Sequence, residues 1–366
     1  MPDPLIGFRL RGQRLDRRVP RTQLVKTIGE IGGLHAQLMS SAELESWVRL
    51  KGSTPEDLRR ALWDERSAAK TWLMRGTLHV VPAGDLSLYT AAIGTDRLET
   101  PYFLKHIGVT TEELERVVET VAEVLDGEVL TRAEVSAETD RRLGGRKAPK
   151  RPDPAWAWFL RIAGLRGELC YGPHQGRSVT FTRPSSWLGK QKRWAREDAR
   201  VELLRRYLHA HGPASPEDYA WWLDMGPVSR VRAAWSALES ELEELEPARW
   251  ALASDGKRLR ARGVFDRVRL LPAFDPALLG HRDRSHIVDE PRYATIYRKA
   301  AWVTPAVLVD GRIAGTWSYA VKGKRLRVEA RPFARFAGDV REAIAAEAED
   351  LGRFLGAEAE LGYARA

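Results

Sequence analysis

The sequence predicts an α+β protein of three tandem winged helix-turn-helix units, followed by a small antiparallel β-barrel or sheet and a C-terminal helix. The first observation behind this prediction is a structural repeat of helices and hairpins that occurs three times before residue 260. The second is a switch, after Gly263, to the alternation of apolar and polar side chains that half-buried strands show. Together they separate a helical N-terminal part from a β-rich C-terminal part.

Capping boxes mark the start of the second helix in each unit. In a capping box a Ser or Thr is followed three residues later by an acid, a pattern that begins many helices. The boxes start 91 and then 84 residues apart, at Ser40 with Glu43, Thr131 with Glu134, and Ser215 with Asp218. An amphipathic stretch precedes each box and predicts the first helix, over residues 22–31, 111–125 and 197–211.

A third helix and a hairpin follow each capping box. The predicted third helices are residues 55–64, 154–165 and 229–238. The predicted hairpins pair residues 70–75 with 77–82, 168–171 with 179–182, and 243–246 with 249–253. Helix, turn, helix, helix and wing is the order of a winged helix-turn-helix. Residues 141–154, rich in Gly, Pro and basic side chains, predict an exposed loop in the second unit.

The C-terminal part is predicted to be a small antiparallel sheet or barrel. Its strands are residues 268–271, 306–309, 313–319 and 325–330. Asp310-Gly311 and Lys322-Gly323 supply the residues that hairpin turns prefer, and residues 339–355 form the closing helix. The predicted boundaries are 1–95, 96–190 and 191–260 for the three units, and 261–366 for the C-terminal sheet and helix.

Composition favours a nucleic-acid partner. The 366 residues contain 59 Lys and Arg against 50 Asp and Glu, a net charge of +9, which favours a polyanion. The single cysteine, Cys170, excludes an intrachain disulfide framework and a cysteine-based zinc site. The sequence has no Walker loop, HExxH or GxSxG motif, so we expect neither a metal nor a cofactor. Without a long apolar run, we expect no membrane span and a cytoplasmic protein.

The segment between the first two helices of the first unit carries the candidate catalytic residues. Gly32 and Gly33 are expected to end the first helix, so His35 and Gln37 lie in irregular or extended backbone. There, side chains two residues apart share a side and can converge on one water. The alternative is a packed histidine and a turn glutamine. If His35 acts as a neutral acceptor, an unperturbed pKa near 6.5 predicts activity that rises between about pH 5.5 and 7.5.

Four segments of the chain carry a family resemblance: GLHAQLMSSA at 33–42, TWLMRGTLH at 71–79, LLPAFDPALLG at 270–280 and VDGRIAGTW at 309–317. They resemble the AlkZ-type bacterial DNA glycosylases. The catalytic signature of that family is Gln, an apolar residue, then Gln or Asp. Gln37 matches the second polar position, whereas His35 stands where the family has Gln. The resemblance implies three winged helices and a β-barrel around a basic channel for duplex DNA.

The resemblance also implies a reaction, namely hydrolysis of the N-glycosidic bond of alkylated, bulky N7-guanine nucleotides in DNA repair or antibiotic self-resistance. Alkylation at N7 makes the purine cationic, so it leaves without a general acid. The enzyme then supplies a positioned water and dipoles that stabilise an oxocarbenium-like sugar, for which His35 and Gln37 suffice without a cofactor. The implied partner is double-stranded DNA with alkylated purines, bound by a monomer.

Basic and polar residues on wings and loops are candidate DNA contacts. They are Arg75, Thr77 and His79 on the first wing, Lys190, Lys192 and Arg193 beside Trp187 and Trp194, and Arg282, Arg284, Lys322 and Lys324 in the C-terminal part. The alternatives are a surface wing and a solvated helix face. Asp275 is either an electrostatic partner of the sugar cation or the cap of the turn at Pro276.

A non-catalytic winged-helix transcriptional regulator is the competing hypothesis. Such regulators usually dimerise so that they match two half-sites of DNA. No stretch of the sequence resembles a heptad dimerisation helix, and one chain with three units can wrap DNA alone. Both features favour the monomeric glycosylase.

Overall fold

The chain folds as a mixed α/β protein. The computed structural model describes residues 4–144, 153–224, 226–260 and 266–364. Helices dominate the described residues before 260, and a five-stranded sheet follows. Most of the loop predicted at 141–154 lies outside the described residues.

The first unit places its hairpin against the strand that carries the candidate catalytic segment. Its helices are α1 (Pro4–Gly12), α2 (Leu24–Glu30), α3 (Met39–Trp47), α4 (Pro55–Trp63) and α5 (Leu86–Ile93). Its strands are β1 (Val19–Pro20), β2 (Leu34–His35), β3 (Leu50–Lys51), β4 (Ala68–Trp72) and β5 (Leu78–Pro82). β5 lies between β2 and β4 and is antiparallel to both, whereas β1 and β3 form a separate parallel pair.

The second and third units repeat the order of helices and hairpin. The second contains α6 (Pro101–Ile107), α7 (Thr111–Val124), β6 (Leu130–Thr131), α8 (Arg132–Arg142), α9 (Asp153–Leu165), β7 (Cys170–Gln175), β8 (Ser178–Thr182) and α10 (Pro184–Trp187). The third contains α11 (Arg196–His211), α12 (Pro216–Leu223), α13 (Arg232–Ala237), β9 (Leu242–Glu246), β10 (Arg249–Leu252) and α14 (Gly256–Arg260).

One pairing recurs in the three units. The chain that links the first long helix to the next one pairs with the second strand of the hairpin: β2 with β5, β6 with β8, and Ala214 with Trp250 of β10. The hairpin of each unit is therefore anchored to the segment before its second helix. In the first unit that segment is the one that carries the predicted catalytic residues.

The C-terminal part is an open, mixed sheet covered by a long helix. It contains β11 (Val268–Leu271), α15 (Pro276–Leu279), α16 (Tyr293–Ile296), β12 (Ala306–Val309), β13 (Arg312–Lys322), β14 (Arg325–Pro332), α17 (Gly338–Leu355) and β15 (Glu358–Tyr363). The strands lie in chain order, and β11 to β14 are antiparallel neighbours. β15 was not predicted. It returns through α17 and pairs in parallel with β14, so the sheet is not purely antiparallel.

Two of the three predicted capping boxes are confirmed. Thr131 and Ser215 each exchange both bonds of the box with the acid three residues on. The box predicted at Ser40 is wrong, because α3 already begins at Met39 and no side chain caps it. Glu43 is instead buried and pairs with Arg59 at 2.8 Å. Helices α1, α5 and α6 were not predicted either.

Three apolar clusters of the described residues hold the units together, and the first unit contributes to each. One cluster joins it to the second unit, around Ile28, Val80 and Phe159. Another joins α5 to the third unit. The remaining cluster packs Leu44 and Trp47 of α3 into the C-terminal sheet. Helix α3, which follows the candidate catalytic segment, therefore packs both into the core of the first two units and against the C-terminal sheet.

Candidate active site

Two glycines shape the backbone before His35. Gly32 and Gly33 have φ of +83° and +97°, a region that residues with a Cβ rarely adopt. A Cβ on Gly33 would lie 3.1 Å from the carbonyl oxygen of Val80, a tight contact with β5 that glycine avoids. The two residues end α2 and lead directly into β2, where His35 lies opposite His79.

The imidazole of His35 is enclosed by other rings. It stacks on Phe274 with the ring centroids 4.8 Å apart, and the His79 ring meets it edge-on at 5.2 Å. Its backbone N–H donates to Oε2 of Glu45 at 2.9 Å. Only 4% of the residue is exposed, and Nδ1 is buried without a hydrogen-bond partner. A buried nitrogen without a partner is destabilising.

Burial keeps this imidazole neutral. Loss of solvation, reinforced by the positive charge of Arg75, lowers the pKa of His35 to about 3. Burial likewise lowers the pKa of His79 well below its usual range, and Nδ1 of that ring lies 3.0 Å from the carbonyl oxygen of Thr77. The expected rise of activity between about pH 5.5 and 7.5 is therefore corrected, because His35 does not titrate in that range.

Gln37 lies on the surface beside the enclosed histidine. The residue is exposed, and its Oε1 accepts the backbone N–H of Leu78 at 3.4 Å. Ala36, between the two candidates, donates its N–H to the carbonyl oxygen of Leu78 at 2.7 Å. No hydrogen bond of the described chain joins His35 to Gln37 directly. The two predicted catalytic residues thus flank Ala36 at the end of β2, one enclosed and one open to solvent.

A fully buried ion pair fixes the loop that carries Phe274. Two nitrogens of the Arg49 guanidinium donate to the two carboxylate oxygens of Asp275, each at 2.8 Å, and neither side chain has exposed surface. Asp275 also accepts the N–H of Ala277 at 3.0 Å and so caps α15. The prediction that Asp275 faces a sugar cation is therefore corrected, because this carboxylate is enclosed and neutralised by Arg49.

The same loop is held on its other side by α3. Ser41 donates its hydroxyl to the carbonyl oxygen of Ala273. Between these two contacts Phe274 has φ +63°, a conformation that bulky residues rarely adopt. We call the contacts of Ser41 and Arg49 with residues 273–275 the clamp. The clamp holds Phe274 in an unfavourable backbone conformation with its ring against His35.

Glu45 is a buried acid directly behind the site. It has no exposed surface, and its Oε1 has no hydrogen-bond partner. Burial, together with the nearby charge of Asp275, raises the pKa of Glu45 well above its usual range. The neutral carboxylic acid is therefore favoured, and no strong negative charge lies behind the His35 ring.

Sequence reasoning missed Glu45, Arg49 and the role of Phe274. A signal for the first two was present, because an acid inside the predicted second helix and a base four residues on lie among apolar neighbours. Phe274 lies inside one of the segments that carried the family resemblance. Their partners could not be named, since the contacts join residues 226 positions apart.

The predicted contacts on the first wing are mostly internal. Arg75 donates to the carbonyl oxygen of Trp222 at 3.1 Å, and burial, with Arg284 nearby, lowers its pKa to about 10. His79 is only 3% exposed. Thr77 is half-buried and donates its hydroxyl to the carbonyl oxygen of Met74 at 3.0 Å. The prediction that His79 contacts DNA is corrected, because the ring is buried against His35 in its own unit, whereas Arg75 is half-buried with its guanidinium against Trp221 of the third unit.

Arg284 is also internal. Its guanidinium lies 4.0 Å from the ring centre of Tyr297 and 4.4 Å from that of Trp221, and it donates to the hydroxyl of Tyr293 at 2.6 Å. Cation–π contacts and this hydrogen bond replace the solvation that a buried guanidinium loses. The predicted DNA contact at Arg284 is therefore corrected to a structural role.

The remaining candidate contacts are exposed. They are Lys190, Lys192, Arg193, Arg282, Lys322 and Lys324. Lys192 lies over the Trp194 ring at 3.5 Å, which orders the segment between α10 and α11. Arg282 approaches Asp218 only through its backbone N–H, at 2.8 Å. These side chains are positioned so that a polyanion could reach them.

The described ranges show neither a metal-binding cluster nor a membrane-spanning helix. Within them, no group of three or more His, Cys, Asp or Glu has the geometry to hold a metal ion. No helix in the same ranges combines the length and apolar character that a bilayer requires.

Comparisons with known proteins agree with one another. Residues 28–354 match the family model described as DNA glycosylase AlkZ-like. The chain is 31% identical over 328 residues to the interstrand DNA cross-link repair glycosylase of Streptomyces sahachiroi, with 86% of each chain covered. Its fold is similar to the structure of the Streptomyces sahachiroi DNA glycosylase AlkZ, with a TM-score of 0.87 and 28% identity. That superposition covers 100% of this chain and 99% of the other.

Asp275→Asn is expected to lower the free energy of unfolding by about 3–5 kcal/mol, because it leaves the buried charge of Arg49 without its partner. Asp339→Asn is the control, since it removes an exposed partner of Arg267 and should change stability little. Chemical denaturation followed by circular dichroism measures both. Equal effects of the two substitutions would show that the clamp does not hold the fold.

Proposed function

The chain belongs to the AlkZ-like family of DNA glycosylases, and on that premise we propose that it hydrolyses the N-glycosidic bond of bulky N7-alkylated guanine nucleotides in duplex DNA. One observation carries the proposal: the segment at the family's signature position presents a neutral, enclosed imidazole and an exposed amide at one strand end. The name of the Streptomyces sahachiroi relative, which specifies interstrand cross-links, is consistent with large adducts.

The charge state of His35 suits this chemistry. An N7-alkylated guanine is already cationic, so it leaves as a neutral base without a general acid. The sugar becomes positively charged in the same step, and a protonated imidazole would repel it. Because burial lowers the pKa of His35 to about 3, the ring stays neutral and can accept a hydrogen bond from water.

Gln37 is the complementary group in this proposal. Its side chain reaches solvent at the point where His35 is enclosed, and an amide both donates and accepts hydrogen bonds. We assign it the placement of the attacking water on the sugar. The contact of its Oε1 with the N–H of Leu78 ties the amide to the first hairpin, which restricts its orientation before DNA binds.

The three repeated units are proposed to act as winged helices along the duplex. Support comes from the recurrent pairing of each hairpin with the segment before its second helix. The exposed cations Lys190, Lys192, Arg193, Lys322 and Lys324 then provide phosphate contacts. Three such units in one chain allow a monomer to bind DNA. Family membership favours this enzyme over the transcriptional regulator considered from the sequence.

Gln37→Ala is expected to slow single-turnover base release by roughly 100-fold, because the water loses a positioned partner. His35→Gln, which restores the usual family residue, should retain much of the activity. The assay uses duplex DNA with one N7-alkylated guanine and scores alkali-labile abasic sites. Fluorescence anisotropy on undamaged duplex is the control, and both variants should bind like the parent. Full activity of Gln37→Ala would remove Gln37 from the mechanism.

Replacing Lys190, Lys192 and Arg193 together by Ala should weaken duplex binding on every sequence and flatten its salt dependence. The slope of log K against log salt is expected to change by roughly 0.9 for each phosphate that the variant no longer neutralises. Anisotropy titrations across several salt concentrations measure the slope.

The matched control for this experiment removes three exposed cations from outside the predicted contacts, Lys51, Lys105 and Arg116. It should leave the salt slope near that of the parent. If the two triple variants change the slope equally, the segment between α10 and α11 does not contact DNA.

A further inference from the structure

An exposed tryptophan lies next to the candidate active site. Trp302 is 41% exposed, and its ring meets Phe274 nearly at right angles with the centroids 5.1 Å apart. Phe274 in turn stacks on His35. A continuous series of rings therefore leads from the solvent to the enclosed imidazole. Nothing in the chemistry of water placement uses this outermost ring.

The loop that carries Trp302 has an unusual backbone. Its ends are joined by a hydrogen bond from the N–H of Arg298 to the carbonyl oxygen of Trp302, at 2.8 Å, and by a bridge between Tyr297 and Val303. Inside it, Ala300 and Ala301 both have φ +57°, the left-handed region that residues with a Cβ avoid. We call residues 298–302 the ring loop.

The unfavourable backbone of the ring loop has a structural consequence. Two successive left-handed alanines cost free energy, yet the side chain of Trp302 that follows them keeps 41% of its surface exposed rather than entering a core. If Trp302 served only to pack against Phe274, a relaxed turn that enclosed the indole would be more favourable. The geometry instead presents the indole outward while it keeps one edge against the site.

The ring loop also carries two exposed, positively charged side chains. Arg298 and Lys299 are exposed, and no ion pair found in the described chain includes either of them. An aromatic ring flanked by unpaired cations is the combination with which proteins bind an unstacked nucleotide, because the ring stacks on the base and the cations meet its phosphates. This is a second observation, independent of the ring series, that points to a nucleotide.

We propose that Trp302 stacks on the alkylated purine of the nucleotide being cleaved, with Arg298 and Lys299 on the flanking phosphates. The inference rests on the proposed function, since it takes the end of β2 as the place where the glycosidic bond is broken. A cationic purine also gains a cation–π interaction with the indole face, which an unmodified guanine lacks. Trp302 then contributes to selection of alkylated bases.

The test compares two duplexes that differ at one nucleotide, which carries the alkylated base in the first and no base in the second. One contains N7-methylguanine on a 2′-fluorinated sugar, because the fluorine destabilises the oxocarbenium-like state and keeps the glycosidic bond intact. The other contains a tetrahydrofuran abasic analogue. Trp302→Ala should weaken binding of the first duplex by about 10-fold, the size expected when one base loses its stacking partner, and leave the second unchanged.

Three variants give the comparison its controls. Trp302→Phe keeps a ring and should retain most of the affinity. Tyr102→Ala removes a more exposed aromatic residue from α6 and should have no effect on either duplex. Replacing Arg298 and Lys299 by Ala should weaken both duplexes alike, because phosphates are present in each.

The possible outcomes separate this inference from the proposed function. Equal losses by Trp302→Ala on the two duplexes, or no loss on either, would overturn stacking on the base. Cleavage of an unfluorinated duplex that carries a bulky N7-alkylated guanine by the unaltered protein tests the proposed function separately. Binding to the fluorinated duplex needs no catalysis, so the first result stands whatever the second one is.

Discussion

The buried ion pair between Arg49 and Asp275 is the interaction on which the candidate site depends. It joins residues 226 positions apart, one just after α3 and one before α15. Two charges without exposed surface are tolerated only when each is fully hydrogen-bonded. Arg49 meets this condition by donating also to the carbonyl oxygens of Gln13 and Glu45, at 2.9 and 3.0 Å. One guanidinium therefore ties α1, α3 and the C-terminal part together.

The electrostatics of the site follow from this arrangement. Asp275 neutralises Arg49, and the raised pKa of Glu45 favours its neutral acid. The side chains behind His35 therefore carry little net charge. Phe274, held by the clamp, excludes water from one face of the imidazole. A neutral ring does not repel a sugar that develops positive charge, and an alkylated base needs no proton from it to leave. The surroundings of His35 thus accommodate a neutral imidazole.

Local sequence signals predicted local structure well. The strands at 268–271 and 306–309 have the predicted bounds, and the boxes at Thr131 and Ser215 begin their helices as expected. Long-range packing is where prediction failed. Arg75 and Arg284 were predicted to be surface cations, but both guanidinium groups lie over the ring of Trp221 from the third unit. The unpredicted strand β15 pairs in parallel with β14, a contact that no local pattern indicates. His35 and Gln37 were predicted from spacing and resemblance and their catalytic role stays a prediction, whereas the clamp could be identified only from tertiary structure.

The most direct test of this account is the titration of the His35 imidazole by NMR in the ¹⁵N-histidine-labelled protein, with His35→Gln used to assign its signal. The account predicts a neutral ring from pH 8 down to about 5, because burial lowers its pKa to about 3. A midpoint near the ordinary value of about 6.5 would contradict it, since the imidazole would then be solvated and the clamp would not enclose it.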